Sequence, residues 1–348
     1  MKRIGYIYEK VYDIKNIKLA IKKSSKGKMK YGIVKKINSN IDYYAFEIQN
    51  MLIYKTFKPT PYKNKEIIDG SSGKKRLVQK PSFYPDQIIH WALMLQLEPI
   101  ISKGMHKYCC GSVPGRGTSY GQKHVEKWLR SDCKGTKYCF KMDIKKFYPS
   151  IDNNILKTSF RKKIKDNDCL WLIDSIIDST KGLPIGNYTS PWFSNFLLQP
   201  LDHFISSIDS VSHHVRYVDD IVVFSSNKRK LRRARILIDK ELKKLNLSIK
   251  NNWQIFKTSS RPIDFLGVKI YPTHTTLRAK TAIRIKRRIR RIAKRGYMFL
   301  KDAYAIISYW GWIKRTNSYK FYMNNVYRFV KIKDAKQMVS KHAREVTA

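Results

Sequence analysis

A mixed α+β chain with helical ends is predicted by three features of the sequence: strand-like apolar runs confined to the middle, helical periodicity on either side, and no regular strand–helix alternation. The missing alternation argues against a doubly wound parallel sheet. At 348 residues the chain is longer than one hydrophobic core usually serves, so two or three subdomains are expected. Its 43% hydrophobic content supplies apolar material for them and excludes a disordered chain.

The elements follow in order. The stretch to about Asn40 is basic and helical in pattern, and residues 42–56 carry apolar positions at helical spacing. KPTPYKNKEIIDGSSGKKRLVQKPS reads as two short strands joined by the turn Asp69-Gly70-Ser71-Ser72-Gly73. An amphipathic helix runs from Pro85 to about Ser102. A loop with Gly111, Pro114, Gly115 and Gly117 leads into a helix over 119–130. Tyr138–Ile144 reads as a buried strand closing on an aspartate, and 153–179 as helix. A loop over Gly182–Asn187 precedes an apolar helix over Ser190–Ile208. HHVRYVDDIVVFSS is strand, tight turn and strand, followed by a strongly basic helix over 228–245. A last strand covers Phe265–Ile270, and from Thr281 onward the chain is helical and very basic.

Charge narrows the function. Lys plus Arg total 71 against 26 Asp plus Glu, a net +45. Such a surplus opposes compaction unless a polyanion neutralises it, and nucleic acid is the natural one. A membrane surface is the competitor, but no stretch is long and apolar enough to span a bilayer. The opening MKRIGYIYEK is no secretory signal. Five cysteines without a C-x-x-C pair point to reduced thiols in a cytoplasmic protein, and the histidines do not fall at zinc-ligand spacing around them.

The informative object is Tyr217-Val218-Asp219-Asp220, with Val215 before it and Ile221-Val222-Val223-Phe224 after it. Apolar runs flanking two adjacent aspartates describe a hairpin whose turn presents acids. Adjacent side chains normally point to opposite faces of a strand, and a turn relaxes that. Read alone, it is equally an ordinary Asp-rich turn. Asp143 changes the balance, because it ends another buried strand, Phe140-Lys141-Met142-Asp143. Neighbouring buried anions are costly unless a cation neutralises them, and three acids at strand ends are what a two-metal phosphoryl-transfer site requires.

These residues resemble the reverse transcriptases, and the resemblance runs from about Leu52 to about Tyr319. YVDD resembles the family's catalytic hairpin, KMDIKKFYPSID its first catalytic strand, GLPIGNYTSPWFSNFLLQPLDHF its template-holding loop and helix, and FLG at 265–267 its primer-grip hairpin. The resemblance implies a right-hand polymerase fold. A basic N-terminal extension would span 1–41, fingers with a template-contacting loop 42–137, an antiparallel palm 138–270, and a helical thumb with a C-terminal tail 271–348. It implies RNA-directed DNA synthesis with two Mg²⁺ ions, Mn²⁺ being an alternative. Asp143 and Asp219 would ligate both metals with the Ile144 carbonyl, and Asp220 would be the auxiliary acid. Tyr148 would be the aromatic gate that clashes with a 2′-hydroxyl. Lys74 or Arg76, after the Gly-Ser-Ser-Gly turn, would hold the triphosphate, the guanidinium being the better phosphate ligand.

Gly186 and Ser190 match the family's Gly-x-x-x-Ser loop; Gly186 would let the backbone approach the template base pair. Ile185 stands where the family usually has glutamine, which implies less stringent nucleotide selection, and Pro191 follows the loop serine. Trp253 stands where relatives often carry a proton-donating lysine; Lys250 and Lys257 are both candidates to replace it. Arg116 in GSVPGRGTSYG would contact template backbone, Leu266 and Gly267 the primer, and 284–295, with cations all round a helix, the duplex phosphates. Trp310 and Trp312 are read as packing residues.

On its length the chain is expected to carry no appended RNase H, integrase, protease or endonuclease domain. It therefore resembles stand-alone bacterial and phage enzymes: retron, diversity-generating and defence-associated groups. Ile185-Gly186 and LDHF lean towards the latter two, and Pro191 towards the defence-associated group. The resemblance implies a structured non-coding RNA partner, dNTPs and a cDNA product; a homo-oligomer or companion protein is left open. The rival readings are an RNA-dependent RNA polymerase and an RNA-binding protein on an inactive polymerase scaffold.

Overall fold

The computed structural model describes residues 3–68, 73 and 75–347. Four helices open the chain: α1 (Tyr8–Tyr12), α2 (Ile14–Ser25), α3 (Gly32–Ser39) and α4 (Ile41–Ile53). Asp13 starts α2 by accepting the Lys15 and Asn16 amides, and Ile17, Ala20 and Ile21 then bury one face of it. A hairpin of β1 (Lys63–Ile68) and β2 (Lys75–Lys80) follows, antiparallel and in register from Lys63↔Lys80 to Ile68↔Lys75. Next come α5 (Ile88–Ser102) and α6 (Thr118–Ser131).

The central sheet is built from β3 (Tyr138–Asp143), β4 (His213–Tyr217), β5 (Asp220–Ser225) and β6 (Gln254–Lys257), in the order β4-β5-β3-β6 with every neighbour antiparallel. Between its strands the chain forms α7 (Phe147–Ser150), α8 (Asn153–Lys163), α9 (Asn167–Ile177), α10 (Thr189–Ser207) and α11 (Lys228–Lys243). The two-residue period of the strands sorts their side chains. Phe140, Met142, Ile221 and Val223 join the core that contains α5 and α8 to α11. Cys139, Val215, Val222 and Phe224 pack instead with Val125 and Trp128 of α6. That second core is closed by a small sheet of β7 (Ile263–Phe265), β8 (Val268–Ile270) and β9 (Thr275–Leu277).

The remaining helices, α12 (Ala279–Arg295), α13 (Leu300–Ile313), α14 (Tyr319–Tyr322) and α15 (Ile332–Thr347), have an apolar cluster of their own. Ile285, Ile289 and Ile292 form one buried stripe on α12, so its cations do not surround it as the sequence reading expected. Trp312 packs against both this cluster and the second core. Among the described residues no helix is long and apolar enough to cross a membrane. All five cysteines are free, and only Cys133 is exposed.

Two elements depart from expectation. The helix read over 153–179 is split, because Ile164 forms a bridge with Ile4 and Asp166 starts α9 by accepting the Cys169 amide. The Asp166 carboxylate also takes the Ile7 and Tyr8 amides at 2.7 and 2.8 Å, so the N-terminal stretch ends one helix and anchors the next. The strand over Phe265–Ile270 is two strands, with a tight turn at Leu266 (φ 48°) and Gly267 (φ 90°).

Candidate active site

β3 ends at Asp143 and β5 begins at Asp220, and these two residues are cross-strand partners. Asp219 sits beside them in the turn from β4 to β5. That turn needs a left-handed residue, and Val218 supplies it at φ 59°, a costly conformation for a β-branched side chain.

The turn is held from several directions. Arg216, fully buried, donates from Nη1 to the Val218 carbonyl at 3.0 Å. Its Nε and Nη2 each lie 2.7 Å from the equally buried Asp202 carboxylate, and Nη1 also meets Asn195 Oδ1 at 2.8 Å. The Asp219 carbonyl accepts the Ile144 amide at 3.2 Å, tying the turn to the end of β3. Gly111 lies flat against the turn: a Cβ there would stand 2.7 Å from the Val218 nitrogen. Asn195 fixes that glycine by donating to its carbonyl at 2.7 Å.

The electrostatics follow from crowding acids near the sheet. Burial pushes the Asp219 carboxyl above the usual range and Asp143 adds to the push, while the Arg76 and Lys250 charges oppose it. Burial pushes Asp220 up to about 7; Lys141, its Nζ 4.0 Å away, works against the rise, and Asp143 and Asp219 add to it. Only 22% of the Asp220 side chain is accessible, and its Oδ1 is buried without a hydrogen-bond partner. Lys250 Nζ lies 3.9 Å from Asp143 Oδ2, and its amide donates to the Asp143 carbonyl at 2.9 Å.

Among the described residues no three His, Cys, Asp or Glu side chains form a ready-made metal cage. The donor set still suits Mg²⁺, which takes hard oxygens from one or two carboxylates and fills its other positions from water and substrate phosphates. An orphaned carboxylate oxygen and acids repelling one another are what a divalent cation would relieve.

The other anticipated residues divide. Lys74 lies outside the described residues. Arg76, on β2, is close enough for its charge to act on Asp219. The Tyr148 hydroxyl is buried beside Ser194 within reach of the Asp219 charge, and burial raises it. The Ile185 carbonyl accepts the Gln79 amide at 3.0 Å, docking the 182–187 loop on β2. The close approach at Gly186 (φ 148°) is therefore to protein, since a Cβ would meet the Gln79 carbonyl oxygen at 2.2 Å.

Several residues expected to touch template or primer also bond or pack within the protein. Ser190 is buried and donates to the Pro184 carbonyl at 2.8 Å. Arg116 staples its own loop, with Nη1 donating to the His106 and Cys109 carbonyls at 2.7 and 3.1 Å. The Leu266 carbonyl accepts from Gln122, and Gly267 faces the Trp312 ring, which a Cβ would meet at 2.5 Å. Pro191 lines a cavity with Gly186. The sequence reading missed the Arg216–Asp202 pair altogether. Its signal was a lone arginine inside the apolar strand HHVRYV.

A family model described as "Reverse transcriptase (RNA-dependent DNA polymerase)" matches residues 62–270. The Escherichia coli "Retron Ec73 reverse transcriptase" is 29% identical over 258 residues, 68% of this chain and 77% of the relative. "Protein YkfC" of Escherichia coli K12 is 23% identical over 171 residues, which span 45% of this chain and 44% of that protein. Solved apo telomerase structures from Candida tropicalis align at TM-scores of 0.47 and 0.48 with 16% and 14% identity. They cover 66% and 68% of this chain and 58% and 53% of the telomerase chains.

Proposed function

The chain belongs to the reverse transcriptase (RNA-dependent DNA polymerase) family, and from that premise we propose that it extends a primer on an RNA template at the β4–β5 turn, with Asp143 and Asp219 holding Mg²⁺ and Asp220 as auxiliary acid. The observation that carries this reading is the register: Asp143 and Asp220 face each other at adjacent strand ends, with Asp219 held next to them by the Arg216 brace.

When bound, the ions supply charge stabilisation at the attacking and leaving oxygens. The chain's residues do the rest. Arg76 grips the triphosphate near Asp219, and Tyr148 stands where a 2′-hydroxyl would clash. Of the two lysines offered as proton donors to pyrophosphate, Lys250 is favoured by its place beside Asp143. Lys257 pairs with Tyr138 at the opposite end of β3. The Ile144 carbonyl completes the metal donors, and residues 42–137, 138–270 and 271–348 act as fingers, palm and thumb.

The test is primer extension on an RNA template with dNTPs and Mg²⁺. Wild type extends and Asp219→Asn does not; product from Asp219→Asn, or none from wild type, removes this reading.

The template we propose is a structured non-coding RNA, held by the +45 surface, with a role in antiphage defence. Ile185 and Pro191 support the defence-associated group, whereas the 29%-identical relative supports the retron group. Sequencing the nucleic acid that copurifies with wild type and with Asp219→Ala–Asp220→Ala reads the template directly. Absence of any enriched RNA in both samples overturns the partner.

A further inference from the structure

Lys141 reaches the acid cluster from β3 itself, and the proposed reaction gives it no task. Phe140 and Met142 enter the main core, so the two-residue period puts Lys141 on the same face of β3 as Cys139 and Asp143. The Lys141 side chain is 25% accessible, and its Nζ lies 4.0 Å from Asp220 Oδ1. That oxygen is buried and has no hydrogen-bond partner.

What keeps the two apart is a bond on the other side. Lys141 Nζ donates to the Asp264 carbonyl on β7. Asp264 is anchored in turn, because Arg278, at the start of α12, places Nε and Nη2 each 2.5 Å from its Oδ1. An N–H···O hydrogen bond spans ~2.7–3.2 Å, so a shift of about 1 Å would carry the ammonium onto the Asp220 oxygen. An ammonium has three donors, and the Asp264 carbonyl uses one of them. That carbonyl is thus a peg: it holds a cation beside the acids without letting it close on Asp220.

We propose that Lys141 is a positioning residue that sets how tightly the empty acid cluster holds a divalent cation. Pegged on Asp264, its charge offsets the mutual repulsion of Asp143, Asp219 and Asp220 when no ion is present, and repels an ion that enters. The carboxylates alone then hold the ion weakly, and firm retention depends on the oxygens that substrate phosphates add. The proposal rests on the reading of the three aspartates as metal donors and gives a role to a residue that this reading leaves unused.

The experiment measures Mn²⁺ binding to the full chain without nucleic acid, by loss of the free-ion electron paramagnetic resonance signal. Wild type is compared with Lys141→Met, Lys141→Gln and Lys141→Arg. Removing a cation at this range, with solvent screening included, should lower the Mn²⁺ dissociation constant about tenfold in the two neutral variants. Lys141→Arg keeps the charge and should stay near wild type. Lys141→Gln keeps a donor for the Asp264 carbonyl, so it serves where Lys141→Met fails to fold. Structural damage would weaken binding, so tightening has the opposite sign to a merely structural role. Thermal melts give a second readout: the rise in Tm from EDTA to Mn²⁺ should be larger in the neutral variants than in wild type. Asp219→Asn, made in parallel, assigns the ion to the acid cluster.

Unchanged or weaker Mn²⁺ affinity in the folded neutral variants overturns the proposal. So does tightening that Lys141→Arg shares, or no measurable binding by any of the four proteins. Primer extension by wild type, with Mn²⁺ affinity the same in every Lys141 variant, leaves the polymerase reading standing without this role for Lys141. Mn²⁺ binding that survives Asp219→Asn, with no extension by wild type, removes both.

Discussion

Replacing Arg216 by methionine tests how the β4–β5 turn, the proposed catalytic element, is held. Arg216 and Asp202 are both fully buried, and the guanidinium donates to the two Asp202 oxygens, to Asn195 and to the Val218 carbonyl. Arg216→Met leaves the carboxylate buried and unpaired, a loss of ~3–5 kcal/mol. A folded domain is stable by only ~5–15 kcal/mol, so the variant should unfold at much lower urea. Arg216→Met–Asp202→Leu removes both charges and should recover most of that stability, since apolar replacement of a buried pair is commonly neutral or better. It does not restore the donor to Val218. The double variant should therefore be folded yet extend a primer at least about tenfold more slowly, the cost of one lost brace worth ~1.4 kcal/mol. Urea titration by tryptophan fluorescence and primer extension on the same preparations give both numbers. A single variant that loses under ~1 kcal/mol would show that the pair does not act as a buried unit. A double variant with full activity would show that the turn does not depend on Arg216.

Three further outcomes follow from the structure. Gly111→Ala sets a methyl 2.7 Å from the Val218 nitrogen and 2.6 Å from its Cγ2, so it should slow extension by displacing the turn, at ~1–3 kcal/mol in stability; circular dichroism with primer extension separates the two effects. His90 and His214 are buried neutral, with burial holding them down to about 3 and about 4. Below the usual histidine range near pH 6.5 the unfolded chain takes up protons that the folded one refuses. Stability should thus fall as pH drops from 6.5 towards 4, by ~1.4 kcal/mol per unit for each histidine, and His214→Phe should flatten the slope in pH-dependent urea titrations. Tyr148→Ala should raise ribonucleotide incorporation relative to deoxynucleotide by about tenfold or more in single-nucleotide extension, and an unchanged ratio removes Tyr148 as the sugar gate.

The α+β architecture and the acidic turn were legible in the sequence because both are local signals. Short apolar runs mark β3, β4 and β5, and the Asp pair separates two of them where a hairpin must turn. Register was not read from the sequence, because β5 buries both of its faces and alternation does not assign them. The 153–179 segment was misjudged because helical periodicity continues through Ile164 to Asp166. What breaks it there is a bridge to Ile4 and two amides from residues 7 and 8.

The residue types at the proposed catalytic centre were likewise set by the sequence alone, as carboxylates at the ends of two strands and in the turn beside them, in a strongly cationic chain. Which side chains spend hydrogen bonds inside the protein was decided only by tertiary structure. Arg116 and Ser190 carry the chemistry of nucleic-acid contacts, yet their hydrogen bonds go to carbonyls of their own loops. Gly186 gives way to Gln79 and Gly267 to Trp312, contacts made across long sequence separations. Asp202 and Arg216 show no periodic signal that pairs them. Only the packing of α10 against β4 encloses both, and a buried charge without its partner would be too costly to keep. Composition and spacing record what each residue can do; the free energy of burying it against distant neighbours determines which of those interactions it makes.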